Sequence, residues 1–196
     1  TLGAIPLDGV CRQAPTYDTV GWFARDAQTF ARAATVLLDK PLPMAEAAGL
    51  LVAEDAFALA DPDVAAALRP ALTRIGAQFG GMTSTTIAEP GELEVWASQR
   101  NILQRAEAWA TFQPWIEAAN PRFGFNVARN LTIGSAITAD QVALANVARR
   151  RAVERARVLL EAGAILAIPT TPFTAPPLGL PLSELDRYSA RIGLLC

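Results

Sequence analysis

Histidine is absent from the 196 residues, lysine occurs once, at Lys40, and cysteine only at Cys11 and Cys196. Without an imidazole the chain alone cannot build a Ser-His-Asp or Cys-His pair, and the commonest metal ligand is missing. The two cysteines lie near opposite ends and have no CxxC spacing. Both read as free thiols in a reducing compartment, with a disulfide between them the alternative. No uninterrupted apolar run reaches the about 18 residues that a spanning helix needs, and the first residues lack the charged and apolar regions of a signal peptide. A cytoplasmic protein with no membrane partner is the reading that follows. A phosphate loop is missing too, since Gly80-Gly81 has neither a following Lys nor GxGxxG spacing.

A large excess of charge of either sign is also absent. The formal net charge is -2, and the basic residues are scattered except for Arg149-Arg150-Arg151. That triplet lies in a helix-like stretch with Glu154 and Arg155 following, which reads as a solvated helix face. No extended positive surface is available to neutralise phosphates, so nucleic acid is not expected as a partner. The near-exclusive use of Arg over Lys, together with abundant Ala, points to a GC-rich bacterial genome.

What is present in quantity is apolar surface. At 52% apolar and 18% charged residues the chain is too hydrophobic for disorder and long enough to bury a sizeable core, as one domain or a large part of one. Gly3 to Val10, interrupted by Pro6 and Gly9, suits a short strand or extended loop. Asp26 precedes an apolar stripe of Ala27, Phe30, Ala31, Ala34, Leu37 and Leu38, a helix with an Asp N-cap that ends before Pro41-Leu42-Pro43. Gly49 to Ala53 is a short apolar run that fits a buried strand. Asp61-Pro62 then opens a helix along Val64, Leu68, Leu72, Ile75 and Phe79, closed by Gly80-Gly81, with Pro70 predicting a kink or split.

Met82 to Ile87 reads as another strand, and Glu92 to Ala119 as one long or two consecutive helices with an interruption at Pro114. Asn120 to Ile137, rich in Asn, Gly and Phe, reads as a connecting loop. Thr138 to Gln141 is a capped start for a helix over Val142 to Ala162, with Gly163 at its C-terminal position. Ala164 to Ile168 is an apolar strand ended by Pro169, and a last helix starts at Ser183, where Asp186 can help the cap. Alternation of strand and helix predicts an α/β sheet with helices packed over it. The chain stops in mid-helix without a terminal turn, so residues 1–196 read as a partial domain truncated at both ends.

An unaided search for chemistry finds little. Ser84, Ser98, Ser135, Ser183 and Ser189 are not in Gly-flanked turns of the kind that expose a nucleophile, and Gly134-Ser135-Ala136 reads as a plain loop. The carboxylate pairs Glu54-Asp55 and Asp61-Asp63 read as strand-end and helix-cap residues. Trp22, Trp96, Trp109 and Trp115 read as core anchors.

Two segments go further. Pro15-Thr16-Tyr17-Asp18-Thr19-Val20-Gly21-Trp22-Phe23-Ala24-Arg25-Asp26 resembles the amidase-signature pattern that follows the family's Gly- and Ser-rich catalytic region, in its indoleacetamide-hydrolase-like form. Ile168-Pro169-Thr170-Thr171-Pro172 resembles the end of a later strand of that family, and Leu185 to Cys196 the helix that enters its C-terminal block. The resemblance implies a twisted mixed, largely parallel β-sheet with helices on both faces. It implies hydrolysis of a small carboxylic amide to acid and ammonia by a Ser-Ser-Lys mechanism without cofactor or metal, in which a lysine takes the nucleophile's proton through a bridging serine and backbone N–H groups hold the oxyanion.

None of the three catalytic residues carries over. Lys40 follows a helix and not the family's strand, and no serine here has the Gly-Gly-Ser context. The chain alone is therefore expected to be inactive. The resemblance places Asp18, Thr19, Thr170 and Thr171 toward the substrate side, and Tyr188 and Ile192 toward the acyl channel. Each also has a structural role open to it: a turn cap for Asp18, backbone pairing beside proline for Thr170 and Thr171, and core packing for Tyr188 and Ile192. The alternatives to an amidase are a non-catalytic partner or scaffold and an amidotransferase subunit that delivers ammonia to a charged tRNA. A second copy or a partner chain covering the incomplete sheet is expected in either case.

Overall fold

A computed structural model describes residues 3–39, 47–161 and 163–195. Its elements in chain order are α1 (Ala27–Leu38), β1 (Leu50–Ala53), α2 (Glu54–Ala58), α3 (Pro62–Gln78), β2 (Met82–Thr85), α4 (Glu92–Ala119), α5 (Phe125–Ser135), α6 (Ala139–Leu160), β3 (Ile165–Ala167) and α7 (Leu182–Gly193). The fold is α/β: a parallel sheet in the order β2-β1-β3 flanked by helices. Leu50 stands opposite Met82 on one side and Ile165 on the other. Leu50, Val52 and Ala53 are buried and Leu51 is half-buried, as a strand covered on both faces requires, whereas most of β2 is exposed.

The chain forms two compact units. The first comprises residues 1–45 and 101–145, and the second residues 46–100 and 146–196, so the boundaries fall inside α4 and α6. In the second unit, Asp61 occupies the N-cap position of α3 and Pro62 its first turn, yet the Asp61 side chain makes no cap bond. It turns instead to Arg191, whose Nη2 lies 2.7 Å from Oδ1. Gly163 closes the turn after α6 with φ +76°, and its carbonyl accepts from the Ala48 N–H at 3.1 Å.

In the first unit, Asp26 caps α1 as its sequence position demands: Oδ1 accepts the Thr29 N–H at 2.7 Å. That bond favours the ionised form and holds the Asp26 carboxyl below the usual aspartate range. Thr138 and Gln141 form a reciprocal capping box at the start of α6, with Thr138 N–H donating to Gln141 Oε1 at 2.8 Å and Gln141 N–H to Thr138 Oγ1 at 3.3 Å.

Several expectations change. The segment 3–10 is a run of turns with no strand. Residues 120–137 are not a loop throughout, because Phe125–Ser135 is a helix. Gly134 explains it: the residue lets α5 approach the Arg105 carbonyl of α4 so closely that a Cβ there would lie 2.4 Å from the oxygen. Tertiary contact, not local propensity, decides this segment. Pro70 and Pro114 lie inside α3 and α4 without dividing them. Each removes one helical donor, and the residues four positions back, Ala66 and Ala110, are exposed, so water can serve the released carbonyls. Glu54 and Asp55, read as strand-end residues, open the short helix α2 directly. The last helix, α7, starts at Leu182, one position earlier than expected, and its cap residue Pro181 makes no side-chain cap bond. Cys11 is exposed and free, whereas Lys40, the Pro41-Leu42-Pro43 break and Cys196 lie outside the described residues.

Candidate functional site

The motif loop of the first unit is organised around Asp18. Its Oδ2 accepts the Gln13 N–H at 2.8 Å and the Ala14 N–H at 3.1 Å, and its own N–H donates to the Ala14 carbonyl at 2.9 Å. These bonds fold residues 13–18 back onto the Asp18 carboxylate. Thr16 fastens this turn to α4: its N–H donates to Glu107 Oε2 at 2.8 Å and its hydroxyl to Oε1. Trp22 stacks on Phe30 with ring centroids 5.1 Å apart, and its Nε1 donates to the Phe30 carbonyl at 3.4 Å. The neighbouring Phe23 is fully exposed. Thr19 is exposed too.

In the second unit the chain leaving β3 turns through Pro169 and Pro172, both fully buried, and delivers Phe173 to the interior. The Phe173 ring carries the local structure. Tyr188 meets it edge-on at 4.6 Å, and the Arg191 guanidinium sits over it at 5.2 Å. Arg191 Nη2 also donates to the Leu59 carbonyl at 3.2 Å, and the Asp61 N–H donates to the Pro172 carbonyl at 2.7 Å. One arginine and one aromatic ring thus join the β3 end, α7 and the α2–α3 junction. The Thr171 hydroxyl donates to the Phe173 carbonyl at 3.2 Å, while Thr170 is exposed and Ile192 is half-buried on α7.

The structure therefore brings Thr171 and Tyr188 together around Phe173, a residue that sequence reading did not single out. Asp18 serves its own loop. Arg191 and Asp61 were also missed as a pair, because residues 130 positions apart carry no local signal of contact. Asp55 was read as a strand-end carboxylate, and its Oδ2 accepts the Ile87 and Ala88 N–H groups at 2.8 and 3.0 Å, which holds the segment after β2. Arg155 assists from α6, donating to the Ile87 carbonyl at 3.0 Å and the Thr86 carbonyl at 2.8 Å.

Among the serines, Ser84 comes nearest to a base: its hydroxyl donates to Glu54 Oε1 at 2.8 Å. Both groups are exposed, so the bond is a solvated surface contact and not a sequestered nucleophile–base pair. Ser135 donates to the Thr132 carbonyl at 2.8 Å, a back-bond within α5. No cluster of three or more His, Cys, Asp or Glu side chains suited to a metal occurs among the described residues. No helix among them is long and apolar enough to cross a membrane.

No protein-family model matches the chain. Two plant proteins named Amidase 1 align with it at 25% identity over 96% of its length: one from Arabidopsis thaliana, of which the match covers 51%, and one from Oryza sativa subsp. japonica, of which it covers 50%. Outer envelope protein 64, chloroplastic, of Arabidopsis thaliana aligns at 24% identity over 100% of the chain and 37% of its own length. A solved amidase crystal structure superposes with a TM-score of 0.78 over 91% of this chain and 41% of that one, at 20% identity. The chain spans about half the length of the two Amidase 1 relatives.

The superposition defines the class of fold, the α/β fold of an amidase. With sequence similarity running along nearly the whole chain to the two Amidase 1 proteins, the chain is amidase-signature-like.

Proposed function

We propose that these residues are part of an amidase that hydrolyses a small carboxylic amide, with an aryl or alkyl acyl group, to acid and ammonia. The observation that carries this reading is the alignment with the Amidase 1 proteins over 96% of the chain. The Pro15 to Asp26 and Ile168 to Pro172 segments are where the resemblance is most specific. The chemistry would be that of a serine nucleophile, a bridging serine and a lysine supplied by polypeptide beyond these residues, which the absence of histidine permits. No cofactor or metal is needed for it. Of the six substrate-side candidates, Asp18 and Thr19 belong to the first unit, where Thr19 is exposed, and Thr170, Thr171, Tyr188 and Ile192 to the second, where Thr170 is exposed. The free, exposed Cys11 suits a reducing compartment such as the cytoplasm.

The test is ammonia release by the full-length protein that carries this chain, offered a panel of aryl and alkyl carboxamides. Release that is lost on changing a serine outside the 196 residues supports the reading. No release from any amide would reject it.

A second reading, a non-catalytic partner or scaffold, is favoured by one observation. The chain also aligns, at 24% identity over its whole length, with an outer envelope protein whose name states no amidase activity. Exposed apolar side chains such as Phe23 and Leu178 would then be covered by another chain or a second copy. Copurification of a stoichiometric partner with an inactive protein would support it.

A further inference from the structure

We propose that the first unit holds a binding site for a small aromatic carboxylate, in the cavity bounded by the 101–119 part of α4, by α5 and by the N-terminal loop. The cavity measures about 560 Å³, within the roughly 300–1,000 Å³ usual for small-molecule sites. Arg105, Phe112 and Trp115 line it from one face of α4, at the three- and four-residue spacing of a helix, with Gln104 beside Arg105. Phe123, from the segment entering α5, and Gln13 complete the named walls.

The aromatic wall is continuous. Phe112 and Trp115 meet at 6.4 Å between centroids and Trp115 and Phe123 at 5.8 Å, both edge-on. Trp115 nonetheless remains 51% exposed, an uncommon state for an indole already held by two rings, and the exposed part is what a flat ligand would cover.

Charge decides the class of ligand. Among the described lining residues Arg105 is the one charged group, and the other polar ones are carboxamides. A cation would be repelled and would find no carboxylate. A neutral arene would leave the guanidinium unmatched. A planar acid satisfies both features, its ring against Phe112, Trp115 and Phe123 and its carboxylate on the two-pronged donor of Arg105, with Gln13 and Gln104 as further N–H donors. The site needs no nucleophile and does not depend on the amidase reading.

The test is calorimetric titration of the full-length protein with phenylacetate, which no amidase can hydrolyse. Saturable binding is expected, weakened roughly tenfold or more by Arg105→Gln and by Trp115→Ala, with the neutral, non-hydrolysable 2-phenylethanol several-fold weaker than phenylacetate on the wild-type protein. An acid bound at the catalytic centre would be insensitive to both substitutions and would remain as a residual site. No saturable binding, equal affinity and stoichiometry in wild type and both variants, or 2-phenylethanol binding as tightly as phenylacetate, would overturn the proposal. If Arg105→Gln fails to fold, Arg105→Lys takes its place: it keeps the charge but loses the fork, so several-fold weaker binding is expected and unchanged binding counts against the site.

Discussion

A methyl group at Gly134 would lie 2.4 Å from the Arg105 carbonyl oxygen and 3.1 Å from Trp109 Cβ, whereas one at Gly76 would lie 2.3 Å from Met82 Cγ. The distances are alike but the neighbours are not. A carbonyl inside α4 cannot retreat without moving the helix, while Met82 is a flexible, half-exposed side chain. Gly134→Ala should cost about 1–3 kcal/mol by overpacking. Gly76→Ala should be close to neutral, because the helix propensity gained, up to about 1 kcal/mol, offsets the shift of Met82. Urea denaturation of the two variants checks both, and equal losses would refute the distinction. Gly134 also shows what sequence reading cannot reach: a glycine in an Asn- and Gly-rich stretch signals a loop, and only the neighbouring helix reveals that it marks a close crossing. Asp26, by contrast, was legible, since its role needs nothing beyond the three residues that follow. Its carboxyl is held below the ordinary value in the folded chain, so the stability it adds is present above the unfolded-state pKa and is lost as pH falls through the folded one. Asp26→Ala should lower Tm at neutral pH and leave it unchanged in strong acid, as thermal melts along a pH series would show.

Among the elements, the strands were legible because a buried parallel strand is a short apolar run between breakers, and Leu50 to Ala53 is bounded by Gly49 and the acidic Glu54. The helix interruptions expected at Pro70 and Pro114 did not follow, and both prolines and the residues four positions before them are exposed, where water can serve the released carbonyls. The knot around Phe173 was not legible at all: Thr171 and Tyr188 were singled out, while the phenylalanine they meet and the Asp61–Arg191 pair were not. That knot permits a comparison of forces. Phe173 is 94% removed from solvent, and Phe173→Ala should cost about 3–5 kcal/mol. Asp61 and Arg191 lie 2.7 Å apart but their side chains are 43% and 41% exposed, so a double-mutant cycle should give a coupling below about 1 kcal/mol. A coupling as large as the Phe173 loss would mean that the ion pair, not the ring, holds α7 to the α2–α3 junction.

For the whole molecule, the alternation of strands and helices was enough to predict an α/β sheet, and three parallel strands realise it. The catalytic centre is a different matter. With no histidine and one lysine, these 196 residues cannot build a Ser-His-Asp triad by themselves, and the structure engages Ser84 and Ser135 in local bonds. The central claim is that these residues frame an amidase whose nucleophile is not among them. Treating the full-length protein with a fluorophosphonate and mapping the modified peptide by mass spectrometry tests it most directly. The amidase reading predicts one serine adduct outside the 196 residues, formed in step with loss of ammonia release. An adduct on Ser84, Ser98, Ser135, Ser183 or Ser189, or no adduct on a folded protein, would contradict it.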